Sequence, residues 1–296
     1  MLDFRLETFL TLCKVLNYTK TAEILHITQP AVSQHIKYLE NNYGIRLFNY
    51  RGKDLSLTKE GETLYNFALA MKTSSDKLKH MITLPKPANP PIKFGTTLTI
   101  GEYTMWPILR KLLLDFPNMD ISMEVGNTKS LLENLKDGNI DFAILEGHFD
   151  KSKYNSKLIS LENFIGVCST EHIFAYKEVN FNDILNQRLI LREKGSGTRD
   201  IFEQILYEHN LTMESFQQLI EIGNMGAIKE LVKNNLGITF MYSPAVRQEL
   251  EEGSLKEINF IDFNIKREFN FVFLQNSLHE EEYLNWYDYF ISKYKI

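Results

Sequence analysis

The 296-residue chain has little cysteine, no long apolar run and no basic, apolar leader. Only two cysteines occur, Cys13 and Cys168, which excludes a disulfide-stapled secreted domain and is compatible with a reducing compartment. No apolar stretch approaches the roughly 20 residues that span a bilayer, and the first residues do not resemble a signal peptide. The sequence therefore predicts a soluble cytoplasmic protein.

Charge is unevenly distributed along the chain. Residues 1–90 contain 12 Lys and Arg against 8 Asp and Glu, whereas the rest of the chain contains 21 against 30. The N-terminal part is therefore net basic and the remainder net acidic, although the whole chain carries −5. This division suits binding of a polyanion by the N-terminal part, because phosphates are repelled by an acidic body.

A proline-rich stretch at residues 85–91, Pro-Lys-Pro-Ala-Asn-Pro-Pro, marks a boundary, because it cannot be helical. The residues before it predict one long amphipathic helix. Its apolar seam consists of Leu64, Phe67, Ala68, Met71, Leu78, Met81 and Ile82. The seam has to be covered by its own domain or by the same helix of a second chain, and we favour the second chain.

After the boundary, strand-like runs alternate with helical ones, which is typical of parallel sheets covered by helices. The first set has strands at 92–96, 121–125 and 141–146, with helices at 107–116 and 130–136. The second has strands at 164–169, 188–192, 221–222 and 238–242, with helices at 198–209 and 227–234. The two sets predict two small α/β lobes rather than a barrel of eight regular units.

Residues 18–44 predict two short helices joined by a turn. Thr19 is predicted to cap the first helix and Thr28 the second, which accepts Pro30 in its first turn and ends at Gly44. The spacing of the second helix turns three apolar residues inward and four polar residues outward: Val32, Ile36 and Leu39 against Gln29, Ser33, Gln34 and Lys37. Such a helix can enter a major groove, with amides reading base edges.

Residues 45–58 predict two short strands around Arg51-Gly52-Lys53. A β-wing with this basic tip would lie on the flanking backbone or the minor groove of DNA. The alternative is a small three-helix packing module with a solvated polar face. The order of caps, turn and wing favours a winged helix-turn-helix.

Residues 1 to about 84 resemble the DNA-binding and linker-helix region of LysR-type transcriptional regulators. The resemblance is carried by the run 19–40, by Leu47-Phe48 and by residues 57–61, Leu-Thr-Lys-Glu-Gly. It implies DNA contacts by Gln29, Pro30, Ser33, Gln34, Lys37, Arg51 and Lys53. Gln34 and Tyr50 stand where the family frequently has Arg, which weakens the expected phosphate contribution and its salt dependence.

The resemblance continues to the end of the chain, as an effector-binding domain built like a periplasmic solute-binding protein. It implies a multidomain α+β and α/β architecture with a winged helix-turn-helix at 1–60, a linker helix and hinge at 61–88 and an effector-binding domain at 89–296. Lobe I is placed at 89–163 and 265–296, and lobe II at 164–264. The implied partners are double-stranded promoter DNA, a small effector, a second chain bound through the linker helix, a tetramer and RNA polymerase; no cofactor or metal is predicted.

Ligands of parallel sheets lie beyond the carboxyl ends of strands, where helix N-termini point. Four loops supply hydroxyls, amides or Arg there, and the candidate effector-binding residues are Thr96, Thr97, Thr128, Arg192, Ser196, Thr198, Arg199 and Asn224. Such donors predict a small anionic effector.

The stretch 192–199 is the strongest of these loops, because it combines two Arg with an N-terminal nest. In the LysR family, its Gly-Ser-Gly-Thr-Arg string recurs in a branch that senses small inorganic or phosphorylated anions. Each loop alone is also an ordinary helix cap. Arg192 alternatively pairs with a surface glutamate, and Arg199 with Glu203 at helical spacing.

Catalytic motifs are missing from the sequence: there is no His-Glu-x-x-His pair, Gly-x-Ser-x-Gly elbow or phosphate loop. Cys168 and His172 are four residues apart, but Cys168 ends an apolar run and is predicted to be a buried small hydrophobe. We therefore predict an effector-controlled, non-enzymatic transcriptional regulator. The alternatives are a DNA-binding regulator without an effector and an enzyme acting on a small acid in the cleft.

Overall fold

The computed structural model describes residues 3–51, 54–83 and 91–294, and of positions 51, 77, 80, 81 and 83 the backbone alone. The N-terminal part consists of α1 (Phe4–Val15), α2 (Tyr18–Leu25), α3 (Gln29–Tyr43), β1 (Phe48–Arg51), β2 (Asp54–Leu57) and α4 (Lys59–Thr83). The two strands are antiparallel, with Phe48 opposite Leu57. This order confirms the predicted winged helix-turn-helix and long helix; the predicted hinge lies, apart from Pro91, outside the described residues.

The ends of α2 and α3 follow local capping chemistry. Thr28 caps α3 by accepting a hydrogen bond from the amide of Ala31 (3.3 Å), and Gly44 ends it with φ 68°, both as predicted. The prediction that Thr19 caps α2 is wrong. Asn17 is the cap, because its backbone is extended and its side chain accepts from the amide of Lys20 (3.0 Å), whereas Thr19 already lies inside the helix.

Helix α4 packs against the three-helix core with part of its apolar seam. Ala68 and Leu69 are buried in the cluster that α1, α3 and β1 form. Phe67 and Met71, on the other side of α4, are each 50% exposed. The single chain therefore buries the side of the seam that carries Ala68 and Leu69 and leaves the side that carries Phe67 and Met71 half exposed.

The first turn of α4 depends on a close approach to the wing. Thr58 donates its hydroxyl to the carbonyl of Arg46 (2.7 Å) and accepts from the amide of Gly61 (2.9 Å). A Cβ on Gly61 would overlap the carbonyl oxygen of Leu47, so glycine permits this approach. The Leu-Thr-Lys-Glu-Gly string of the sequence thus has a local structural cause.

The C-terminal part contains six α-helices and eleven strands within the described residues. They are β3 (Ile92–Thr97), α5 (Met105–Asp115), β4 (Ile121–Gly126), α6 (Thr128–Asp137), β5 (Phe142–Glu146), β6 (Tyr154–Ser169), β7 (Glu178–Val179), β8 (Arg188–Leu191), α7 (Gly197–Glu208), β9 (Gln218–Glu221), α8 (Met225–Lys233), β10 (Thr239–Tyr242), α9 (Arg247–Glu251), β11 (Leu255–Glu257), β12 (Asn259–Phe260), β13 (Ile265–Leu274) and α10 (Glu280–Tyr294). A π-helical turn, Ile100–Thr104, precedes α5. In the described ranges, no helix combines the length and apolarity needed to cross a membrane.

The main sheet is mixed, which corrects the prediction of parallel sheets. Its order is β10-β6-β13-β5-β3-β4, with β11 also paired to β6. Strand β3 is parallel to β4 and β5, and in the other lobe β8 is parallel to β9. However, β13 runs antiparallel to both β5 and β6, because it returns the chain from lobe II to lobe I.

Strands β6 and β13 join the two lobes. Strand β6 is sixteen residues long, whereas the sequence predicted only its second part, 164–169. It pairs with β13 from Phe164 opposite Ile265 to Tyr154 opposite Leu274. The sequence predicts that the chain passes from lobe I to lobe II before Phe164 and back before Ile265. These two residues lie opposite each other in the β6–β13 pair, so both predicted crossings lie at the same level of the sheet.

Aromatic side chains fill the core of each lobe. In lobe I, Phe142 stacks on Phe271 with ring centroids 4.4 Å apart, and Phe290 of α10 contacts both rings. In lobe II, Phe202 stacks on Phe240 at the same centroid distance. Cys168 is fully buried, as predicted, and burial raises the pKa of its thiol to about 12, so it behaves as a small hydrophobe.

The Gly61 contact predicts a stability defect. Gly61→Ala should lower the free energy of unfolding of the N-terminal part by about 1–3 kcal/mol, the usual cost of overpacking, because the new methyl meets a backbone carbonyl that cannot rotate away. Thermal unfolding and hydrogen exchange of α1–α3 measure the effect. Glu62→Ala, an exposed change in the same turn, is the control. A Gly61→Ala protein with unchanged exchange would contradict the assigned contact.

Candidate DNA-contacting helix and inter-lobe cleft

Helix α3 presents its polar side chains on one surface. Val32, Ile36 and Leu39 are buried, as predicted from their spacing. The opposite side carries exposed Gln29, Pro30, Gln34 and Lys37 with half-buried Ser33. Gln29 Nε2 donates to Ser33 Oγ (3.0 Å), so these two side chains form one hydrogen-bonding unit.

The wing is tied to the start of α2 by two tyrosines. Tyr50 of β1, 62% exposed, donates its hydroxyl to that of Tyr18 (2.8 Å), and the rings stack. Burial, followed by the contact with Tyr50, raises the pKa of Tyr18, so the phenol of Tyr18 stays neutral at pH 7. Of the predicted wing contacts, Lys53 and the side chain of Arg51 lie outside the described residues.

Three strand and helix ends from lobe I converge beside lobe II. Thr97 at the end of β3 accepts a hydrogen bond from the amide of Glu146 (3.2 Å), and Thr128 at the start of α6 donates to the carbonyl of Glu146 (3.1 Å). A Cβ placed on Gly197, at the start of α7 in lobe II, would lie 3.9 Å from that carbonyl oxygen. We call this group, Thr97, Thr128, Glu146 and Gly197, the cleft cluster.

Glu146 is the most perturbed group of the cleft cluster. Its side chain is buried, the residue being 2% exposed, and its Oε2 has no hydrogen-bond partner among the described residues. Burial raises the pKa of Glu146 from the ordinary 4.5 to about 8, while Thr99 and the charge of Arg192 act in the lowering direction. At pH 7 this carboxyl is therefore mostly protonated and can donate a hydrogen bond.

Glu146 is not among the effector residues predicted from the sequence. A signal was available, since Glu146 ends the strand Phe-Ala-Ile-Leu-Glu, every residue of which is buried. An acidic residue closing an apolar run, at the carboxyl end of a strand, is unusual unless it is paired or functional.

Three more hydroxyls near these strand ends are buried without a hydrogen-bond partner among the described residues: Thr96 Oγ1, Thr99 Oγ1 and Tyr242 OH. Thr96 packs against the π-helical turn, where a Cβ on Gly101 would lie 2.6 Å from its hydroxyl oxygen. Tyr242 belongs to lobe II, and burial, then the charge of Glu146, raises its pKa. Each unsatisfied buried group lowers the free energy of unfolding by about 1–3 kcal/mol. These polar groups therefore do not stabilise the fold, and a ligand could supply their missing hydrogen bonds.

The two arginines of the 192–199 stretch are paired with carboxylates, the alternative considered for them above. Arg192 binds Glu193 through two hydrogen bonds of 2.8 Å. Arg199 binds Glu203 (2.7 Å) and Glu221 (2.5 Å), which ties α7 to β9. Arg192 acts electrostatically on Glu146, whereas Arg199 is held between α7 and β9.

The remaining predicted effector residues are placed differently from one another. Ser196 and Thr198 are buried at the start of α7. Arg192, Thr198 and Arg199 line a cavity of only about 10 Å³, room for no more than one water. Exposed Asn224 caps α8 by accepting from the amide of Ala227 (2.8 Å). The structure thus brings Thr97 and Thr128 together at Glu146 and uses Arg199 and Asn224 in local pairings.

Family models match most of the chain. A model of the LysR substrate binding domain matches residues 86–294, and one of the bacterial regulatory helix-turn-helix proteins of the lysR family matches residues 4–62. Among similar proteins, the HTH-type transcriptional regulator CysL of Bacillus subtilis is 28% identical over 284 residues, 94% of each chain. The HTH-type transcriptional activator CmpR of Synechocystis is 26% identical over 268 residues, 90% of this chain and 87% of its own.

Solved structures share the fold. An OxyR mutant of Corynebacterium glutamicum superimposes with a TM-score of 0.62 at 22% identity, over 98% of this chain and 91% of its own. The regulatory domain of Synechocystis CcmR, solved in complex with 2-PG, gives a TM-score of 0.62 at 19% identity, over 69% of this chain and 97% of its own.

The raised pKa of Glu146 predicts a pH-dependent stability difference. The folded chain keeps this proton up to about pH 8, whereas the unfolded chain releases it near 4.5, so the contribution of Glu146 to stability falls as pH rises between these values. Glu146→Gln does not titrate. Its free energy of unfolding relative to wild type should therefore rise from pH 5.5 to 8.5, by at most about 1.4 kcal/mol per pH unit, and then level off.

Chemical denaturation of both proteins across this range measures the difference. Glu249→Gln is the matched control, since Glu249 is also buried but pairs with Lys229 (2.7 Å). Loss of that ion pair should destabilise the protein, the opposite sign to Glu146→Gln. A constant difference between Glu146→Gln and wild type over the whole range would show that Glu146 is already ionised in the fold.

Proposed function

The chain belongs to the LysR family of transcriptional regulators, and we propose that it holds promoter DNA with α3 and the wing and changes this hold when a small anion enters the inter-lobe cleft. The DNA assignment is supported by the exposed polar surface of α3. Thr28 caps the start of this helix, and three buried residues, Val32, Ile36 and Leu39, fix its position against the core. The effector assignment is supported by one observation above all: Glu146 Oε2, Thr96 Oγ1 and Thr99 Oγ1 of lobe I and the hydroxyl of Tyr242 of lobe II are buried near the strand ends without hydrogen-bond partners among the described residues.

Readout of DNA is divided between amides and cations. Gln29 and Gln34 are exposed near the start of α3, where amide groups suit base edges, and Lys37 follows one turn later, where an ammonium suits a phosphate. Tyr50 replaces a cation on the wing, so the phosphate contacts carry less charge than is usual in the family. Contacts by Arg51 and Lys53 remain part of the proposal.

An anionic effector fits the chemistry of the cleft. The hydroxyl of Thr97, which is used only as an acceptor, and neutral Glu146 can donate hydrogen bonds, and the N-termini of α6 and α7 add backbone amides. The 2-PG in the CcmR complex is a ligand of that protein; for this chain it supports only the choice of small anions for testing. We propose binding without turnover.

Members of this family form oligomers, and we propose that α4 pairs with α4 of a second chain. A groove of about 450 Å³ runs along α4, lined mainly by apolar residues that include Leu64, Phe67 and Met71. Phe67 and Met71 are half-exposed in the single chain, and a second α4 would cover them. Assembly into a tetramer, contact with RNA polymerase and a cytoplasmic location are further proposals from the family resemblance.

Effector and DNA binding are coupled by linkage. An anion changes DNA binding only if it has different affinities for two arrangements of the assembly. Closure of the lobes around the anion would select one spacing of the paired α4 helices and hence of the two α3 helices. The choice between activation and repression then depends on the promoter.

The DNA proposal predicts two separable defects. Gln29→Ala should reduce discrimination between the promoter and a scrambled duplex by about tenfold, because an amide–base contact is lost. Lys37→Ala should weaken binding to both duplexes alike and reduce the salt slope by about one, because a phosphate contact is lost. Fluorescence anisotropy over a salt series separates them, with Lys177→Ala in lobe II as the control. Identical behaviour of the two variants would refute the division of roles.

The effector proposal predicts ligand-dependent melting. A panel of inorganic sulfate, inorganic phosphate and 2-PG should include an anion that raises the Tm of the full-length protein by several degrees, since binding at about a hundred times Kd adds roughly 2.7 kcal/mol. Thr128→Val should reduce the shift, because it removes a cleft hydroxyl, whereas Thr11→Val on α1 should not. If no anion of the panel raises the Tm, the effector proposal fails for this class of ligand.

A further inference from the structure

One oxygen of the Glu146 carboxyl is not used by the fold. The backbone of Glu146, not its side chain, makes the hydrogen bonds with Thr97 and Thr128 that hold β5 in place. The side chain is buried, yet Oε2 has no partner among the described residues. Glu249, also buried, has an unpartnered Oε2 as well, but its Oε1 is paired with the ammonium of Lys229 at 2.7 Å, whereas no ion pair holds Glu146 among the described residues.

The surroundings of Glu146 come from both lobes. In lobe I, β3 and the start of the following helix present the hydroxyls of Thr97 and Thr99, and α6 presents that of Thr128. Strand β13 places Phe269 directly opposite Glu146. From lobe II, Tyr242 of β10 and Arg192 after β8 are the titratable and charged groups that act on it.

Thr99 and the charge of Arg192 favour an ionised carboxyl, but burial outweighs them. Arg192 is already neutralised by two hydrogen bonds to Glu193, and Tyr242 keeps its proton because burial raises its pKa. The hydroxyl of Thr97 is used as an acceptor and that of Thr128 as a donor to a backbone carbonyl. A charge on Glu146 would therefore be buried with only partial compensation from Thr99 and Arg192, which is expensive.

We propose that Glu146 is the proton-carrying group of the effector site, donating its own O–H to an oxygen of the bound anion, so that the site takes up an oxyanion only while this carboxyl is neutral. The proposal rests on the anionic effector proposed above and names its class: a small oxyanion that accepts a hydrogen bond from a carboxylic acid. An ionised Glu146 would instead repel the anion. The site is therefore closed to oxyanions at high pH and to organic cations at neutral pH.

The test is the pH dependence of sulfate binding, because sulfate itself carries no proton near neutral pH. Calorimetry on the full-length protein should give constant affinity up to about pH 7.5 and then a loss approaching tenfold per pH unit, about thirty-fold by pH 9.5. At pH 9 and above, titrations in buffers of different ionisation enthalpy should show uptake of about one proton per sulfate.

Glu146→Gln is the decisive variant, since its amide donates a hydrogen bond at every pH. It should bind sulfate with nearly constant affinity over the same range and without proton uptake. Glu146→Ala, which lacks the donor, should bind weakly throughout. Glu124→Gln, an exposed carboxyl on β4, should follow the wild-type curve and thereby control for general charge effects.

Three results would overturn the proposal: wild-type affinity that does not change with pH, loss of sulfate binding in Glu146→Gln at all pH values, or binding of methylammonium that requires Glu146. If 2-PG is the one anion of the panel that raises the Tm, the pH series is run with 2-PG, and binding of 2-PG that changes neither above pH 8 nor in Glu146→Ala would end this proposal but leave the proposed function standing. Only a panel without any binding anion would remove both.

Discussion

The pairing of β13 with its two neighbours is the constraint on which the effector site depends. Strand β13 lies between β5 and β6, so the chain that returns from lobe II holds the end of β5 in register, with Phe269 opposite Glu146. On the far side of β6, β10 brings Tyr242 opposite Phe164, and Tyr242 contacts Phe269 with centroids 5.1 Å apart. Groups from distant parts of the sequence therefore meet because one antiparallel strand crosses both lobes.

That junction is energetically expensive. One oxygen of the Glu146 carboxyl and three hydroxyls are buried there without partners among the described residues, whereas the aromatic cores of both lobes are well packed. Unsatisfied polar groups persist only when the rest of the fold compensates for them, and they concentrate where a ligand supplies the missing hydrogen bonds. Polar groups that are left unsatisfied for a ligand lower the stability of the lobes. Ionisation of Glu146 would lower that stability further and, in the proposal above, would also abolish anion binding.

Helix α6 contacts both functional parts of the chain. It begins at Thr128 in the cleft cluster and ends beside the N-terminal part, where Asp137 pairs with Lys14 of α1 and Gly138 lies against Thr73 of α4. The ion pair is exposed and contributes little energy. The contact nevertheless means that a displacement of α6 on ligand binding would be felt at α4, the helix that carries the half-exposed seam.

The helix-turn-helix, its wing and the inward and outward sides of α3 were predictable from sequence alone, because caps, glycine stops and helical spacing act within a few residues. Most elements of the lobes followed from periodicity for the same reason. What the tertiary structure decided is pairing over long distances: the antiparallel β13, the full length of β6, the carboxylate partners of Arg192 and Arg199, and the isolation of Glu146. Burial and partnership depend on which strands meet, and that information is not contained in any local stretch of the chain.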